Sequence, residues 1–191
     1  MNEVDFIRMQ IDAEQQHASE VLEWCRESAA RIAAAGQIDK DNAYFIRSCI
    51  QYLAAFLRRD GARHEAHGGC VRALAAQATT TELPSVLARV NAVAAGAGAV
   101  AQELERMAAP APIAPRTLER GLRLCAQHLS ERTELGQTLH KLCARHYVIA
   151  DWRRIAGVDA DGILEERRAH GELLARAAAL GLPARIHGQR A

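Results

Sequence analysis

Four long stretches of this chain carry apolar residues at the 3.6-residue period of an α-helix, and three of the four stripes are interrupted by chemistry-bearing side chains. The sharpest case is the second. Ile46, Ile50, Leu53, Phe56 and Leu57 mark its apolar face, and Asp60 and His64 continue that face. A residue on a helix turns by about 100°, so Asp60 and His64 stand about 40° apart. A carboxylate and an imidazole placed there are costly unless other groups satisfy them. His17 interrupts the first stripe, and His128 and Arg132 the fourth.

The first stretch runs from Val4 to Ala35, with Phe6, Ala13, His17, Val21, Trp24, Cys25, Ser28 and Ile32 on the inner face, and Glu14 and Gln15 assigned to the outer one. The second begins near Lys40 and weakens at Gly68-Gly69, with a further turn or two through Val71 and Leu74. The third, Glu82 to Met107, has Pro84 in its first turn, where proline is tolerated, and capping-box spacing from Thr79 to Glu82. Its stripe, Leu83 to Leu104, is wholly apolar. Gly96, Gly98 and many alanines point to close helix approach, a weak helix or a small-molecule space.

Three prolines between Ala108 and Pro115 form the clearest linker. The fourth stretch spans Arg116 to Tyr147, with Leu118, Leu122, Cys125, His128, Leu135, Leu139 and His146 on one face. Asp151 caps a short helix holding Trp152 and Ile155. A last helix covers Ile163 to Leu180 and stops at Gly181-Leu182-Pro183.

The predicted fold is all-α: an up-down-up-down four-helix bundle over residues 1–157, with additional C-terminal helices. Residues 158–191 supply a last helix and tail that pack on the bundle or on a partner. Alanine and leucine dominate the 49% hydrophobic content, aromatics are only 4%, and β-branched runs are nearly absent.

Several function classes are excluded on the same evidence. A formal net charge of +1, without basic runs interleaved by aromatics, speaks against nucleic acid. No apolar run approaches a membrane span of about 20 residues, and the start is acidic rather than signal-like, so the expectation is a cytoplasmic protein without a membrane partner. The five cysteines, Cys25, Cys49, Cys70, Cys125 and Cys143, are widely spaced and form no CxxC pair, which reads as reduced thiols. There is no GxSxG, phosphate loop or dinucleotide fingerprint, and the chain is read as not an enzyme. An apolar side on the last helix (Leu164, Leu173, Leu174, Leu180) raises a homodimer as the partner.

Four stretches together resemble a bacterial hemerythrin-like (HHE) domain. They are His17 near the start of a long helix; Ala35 to Asp39 leading into Tyr44-Phe45-Ile46 and Tyr52 to Leu57; the charged cluster from Asp60 to Glu65; and Gln127-His128-Leu129-Ser130-Glu131 followed by Leu135, Leu139 and Asp151-Trp152. The resemblance implies a bundle holding two bridged iron atoms on histidines and carboxylates, and a role in binding or sensing O2, NO or iron. His17 matches the first-helix histidine. The second helix has the expected pair reversed, as Asp60 then His64. The third helix lacks its two histidines, and Arg132 and Thr133 stand where a carboxylate should follow His128.

The tentative metal set is therefore His17, Asp60, His64 and His128, with iron or zinc as the cofactor in one reading. In the other there is no cofactor: Arg132 pairs with Asp60 and supplies the positive charge in place of a metal. The second reading makes the protein a non-catalytic binding or sensory module with a degenerate dinuclear site. The first makes it a metal-binding protein for O2 or NO.

Overall fold

The structure is a computed structural model that describes residues 2–35, 40–77, 82–109, 114–157 and 160–183. Among the described residues it contains six helices and no strand: α1 (Glu3–Ala35), α2 (Lys40–Gln77), α3 (Leu83–Met107), α4 (Pro115–His146), α5 (Ile149–Ala156) and α6 (Ala160–Ala179). The chain is all-helical, as its periodicity requires. α1 packs on α2 and α4, and so does α3. α5 and α6 both lie against α1 and α2.

Helix ends follow local chemistry. Asn2 Oδ1 accepts the Asp5 N–H at 2.8 Å and caps α1. Pro115 opens α4, where its missing N–H costs nothing. Asp151 Oδ2 accepts the Val148 N–H at 3.0 Å at the start of α5. Gly181, at φ +64°, ends α6 with Leu182 N–H donating to Ala177 O at 2.8 Å. The capping role expected of Thr79 lies outside the described residues, and Glu82 makes no side-chain cap bond.

α2 passes through Gly68-Gly69 without a break and continues through Val71 and Leu74 to Gln77. A Cβ at Gly68 would lie 3.2 Å from Asn91 Oδ1 and 3.6 Å from Val90 Cγ1, so this glycine serves close approach of α3. The small residues of α3 likewise bring α2 inward: a Cβ at Gly61 would sit 3.3 Å from Ala97 Cβ and 3.4 Å from Ala94 O. Gly61→Leu should therefore force the two helices apart and cost about 1–3 kcal/mol, read as a lowered thermal midpoint. α3 is also, by length and hydropathy, long and apolar enough to cross a membrane, contrary to the sequence expectation. A core helix meets the same test, and Val90, Ala97, Ala101 and Leu104 are fully buried in the protein.

The core is two apolar clusters. One surrounds Phe45, Ile50, Leu53, Phe56, Leu104 and Cys125. The other, nearer α5, surrounds Val71, Val90, Leu135 and Trp152. Phe6, expected inside, is 46% exposed, and His146, expected at the end of the core, is exposed. Polar side chains centred on Asp60 lie within this helical framework.

Candidate functional site

α2 carries Asp60 into the interior because Asp60 sits one turn beyond Phe56 on the buried face. The carboxylate is 1% exposed. Arg132 of α4, also buried, donates from Nε to Asp60 Oδ1 at 2.6 Å. Its Nη1 donates to Gln15 Oε1 on α1, and its guanidinium carbon lies 5.8 Å from the centre of the Phe56 ring. Gln15 in turn donates to Thr133 Oγ1 at 2.7 Å. One guanidinium thus ties α1, α2 and α4 together.

Two histidines complete this group. His64 Nδ1 donates to the Asp60 backbone oxygen at 2.8 Å and stands 3.3 Å from Asp60 Oδ2. A carbonyl only accepts, so Nδ1 carries the proton and Nε2 is left for the other side. His128 Nε2 lies 4.0 Å from Asp60 Oδ2, beyond hydrogen-bond reach, and both atoms are buried without a hydrogen-bond partner among the described residues. Gly96 makes room for this ring: a Cβ there would come 3.4 Å from His128 Nδ1.

Burial by itself would raise the pKa of Asp60. The charges of Arg132 and His64 outweigh it and hold the carboxyl well below the usual range, so it is an anion at neutral pH. Burial pushes His128 the other way, below an ordinary histidine, only partly opposed by Asp60.

A cavity of about 550 Å³ opens beside this group, between α1, α2, α4 and α5. Asp60, His64 and Arg132 form part of its wall; Arg8, His140 and Lys141 lie farther out, and Leu139 and Trp152 give it an apolar side. Its size falls within the range of small-ligand sites. His67, to which the sequence assigned no role, also lines it and faces the Tyr147 hydroxyl at 3.4 Å. Burial and the neighbouring His64 lower its pKa to about 3.

His17 has other partners. Its Nδ1 donates to Glu166 Oε1 of α6 at 3.4 Å, and its ring stacks on His170 at 3.8 Å with planes 13° apart. Tyr52 donates to the same Glu166 oxygen, and His170 Nε2 donates to Glu20 Oε2 at 3.2 Å. Burial opposes the charge on Glu166, but the His17 and Tyr52 hydrogen bonds prevail and lower its pKa. Burial and His17 lower that of His170. The α6 residues were missed because polar side chains fill a core stripe: Ile163, Glu166, His170, Leu173 and Ala177 are all buried at three- and four-residue spacing.

A further correction concerns Glu14. It is 1% exposed, its Oε2 lying 2.6 Å from Arg63 Nη1 of α2. The signal was present, since Glu14 is seven residues from both Ile7 and Val21, about 20° from each around the helix.

The donor set does not fit a dinuclear iron centre. Asp60, His64 and His128 converge, whereas His17 is engaged by α6, and the one central carboxylate is already bonded to a guanidinium. Among the described residues no cluster of three or more His, Cys, Asp and Glu side chains is arranged to hold a metal ion. Burial raises the pKa of Cys49 and raises that of Cys125 to about 12, so both are neutral thiols at pH 7. No family model, curated protein or solved structure matches the chain.

Proposed function

We propose that this protein is a non-catalytic binding or sensory module built on an up-down-up-down four-helix bundle of hemerythrin-like type, in which a guanidinium has replaced the metal. The neighbour pattern supports the bundle: α1 and α3 each pack on both α2 and α4. The observation that carries the functional reading is the buried Arg132–Asp60 pair at 2.6 Å, set in the wall of an open cavity. The pair neutralises the acid, fixes three helices around it and leaves the adjoining space for a ligand. Exposed Leu164 and Leu174 on α6 support a homodimer as a further part of the proposal.

The competing reading is a metalloprotein for O2 or NO. It draws on the unsatisfied Asp60 Oδ2 and His128 Nε2. Elemental analysis of protein grown with added iron and purified without chelator separates the two. Metal far below one ion per chain is the expected result. Near-stoichiometric iron with oxo-to-iron absorption bands would overturn the proposal.

A further inference from the structure

A second and larger cavity lies at the opposite end of the helices. It occupies about 920 Å³ between α1, α2 and α4. Measured along the chain, Arg26, Ile46 and Arg123 of its lining lie about 13–21 Å from Gln15, Asp60 and Arg132 of the first site, at 1.5 Å per residue. Its walls divide cleanly by chemistry. Ile46, Leu118 and Leu122 form a buried floor, flattened by alanines of α1 such as Ala29 and Ala33. Four arginines, Arg26, Arg47, Arg116 and Arg123, line it with one carboxylate, Glu119, while Glu23, 3.3 Å from Arg26, takes up one of the four charges. The whole chain carries only +1, so this is a local concentration of positive charge. Among the described residues Arg116 and Arg123 have no carboxylate partner, and both are exposed.

We infer that this cavity binds a single-chain amphiphilic anion, a long-chain fatty carboxylate. The acyl chain lies on the isoleucine, leucine and alanine floor, and the carboxylate meets the arginines. A peptide or a sugar fits poorly, because the lining holds no serine, threonine, asparagine or glutamine, and Glu119 is its one side-chain acceptor for a ligand's donors. A small anion would leave the floor uncovered, and an amphiphilic cation would meet the arginines. The volume is that of a ligand pocket of the larger kind.

Titration calorimetry with dodecanoate below its micelle concentration tests this, alongside octanoate, acetate and dodecyltrimethylammonium. Dodecanoate should bind at one per chain. Each methylene removed should weaken binding about fourfold, so octanoate falls by roughly two orders of magnitude. Acetate and the cationic amphiphile should not bind. The exposed double substitution Arg116→Glu and Arg123→Glu should weaken dodecanoate at least tenfold with an unchanged thermal midpoint, and Ala33→Trp should block the cavity. The inference is overturned by equal affinity for the anionic and cationic amphiphiles, by affinity independent of chain length, or by unaltered binding in Ala33→Trp. Association with anionic vesicles without uptake of dodecanoate would also overturn it, since that is a surface property and not a cavity.

Discussion

Arg132→Met should destabilise the protein by roughly 3–5 kcal/mol, because it leaves the Asp60 carboxylate buried without its cation. Asp60 is only 1% exposed, and among the described residues its second oxygen already lacks a hydrogen bond. The same substitution breaks the Gln15 contact and loosens the hold of α1. Adding Asp60→Asn to Arg132→Met should recover much of the loss, since the charge that required the guanidinium is then gone. A double-mutant cycle by chemical denaturation measures this coupling. The exposed Arg58–Glu105 pair is the control: water screens side chains 57% and 42% exposed, so Arg58→Met should barely move the curve. If Arg132→Met is as mild as Arg58→Met, the guanidinium does not occupy the place assigned to it.

The second large effect is acid sensitivity above the carboxylate range. His67, His128 and His170 all have pKa values lowered in the folded protein, chiefly by burial. The unfolded chain therefore binds protons first, from pH about 6.5 downward, and stability falls with pH. At pH 5 His67 alone, with a folded value near 3, accounts for up to about 2 kcal/mol of that loss. His128 and His170 act in the same direction. Asp60 and Glu166 have lowered pKa values, so their contribution is intact above pH about 4 and disappears only as pH falls further. Two acid phases are thus expected. The upper one should shrink in His67→Gln when the thermal midpoint is followed from pH 7 to pH 5. An upper phase of the same size in that variant would show that His67 is readily protonated in the folded state.

Much of the site was legible in the residues because its members lie on single helical faces. Asp60, His64, His128 and Arg132 were identified from their angular position among apolar neighbours, and their burial follows from that position. Their meeting across α2 and α4 answers the cost of burying a lone carboxylate. Glu14 and Arg63 follow the same logic, but Glu14 was assigned outward as one charged residue among many. Glu166 and His170 were hidden by the same habit: a stripe whose central members are polar does not look like a core stripe. His17 was placed on the correct helix face, yet a helix face spans a wide arc and does not say which neighbour is met.

The sequence by itself determined that this chain is helical and which residues turn inward from Ile46 to His64 of α2 and from Leu118 to Leu139 of α4. Both are properties of period and propensity, set within a few turns of chain. Only the tertiary structure decided that His17 belongs to α6 and not to Asp60, that Glu14 has Arg63, and that cavities open at both ends of the helices. Those outcomes depend on how far one helix slides and rotates against the next. That is fixed by contacts distant in sequence, such as Gly61 against Ala97 and Gly68 against Asn91, where the absence of a side chain sets the spacing.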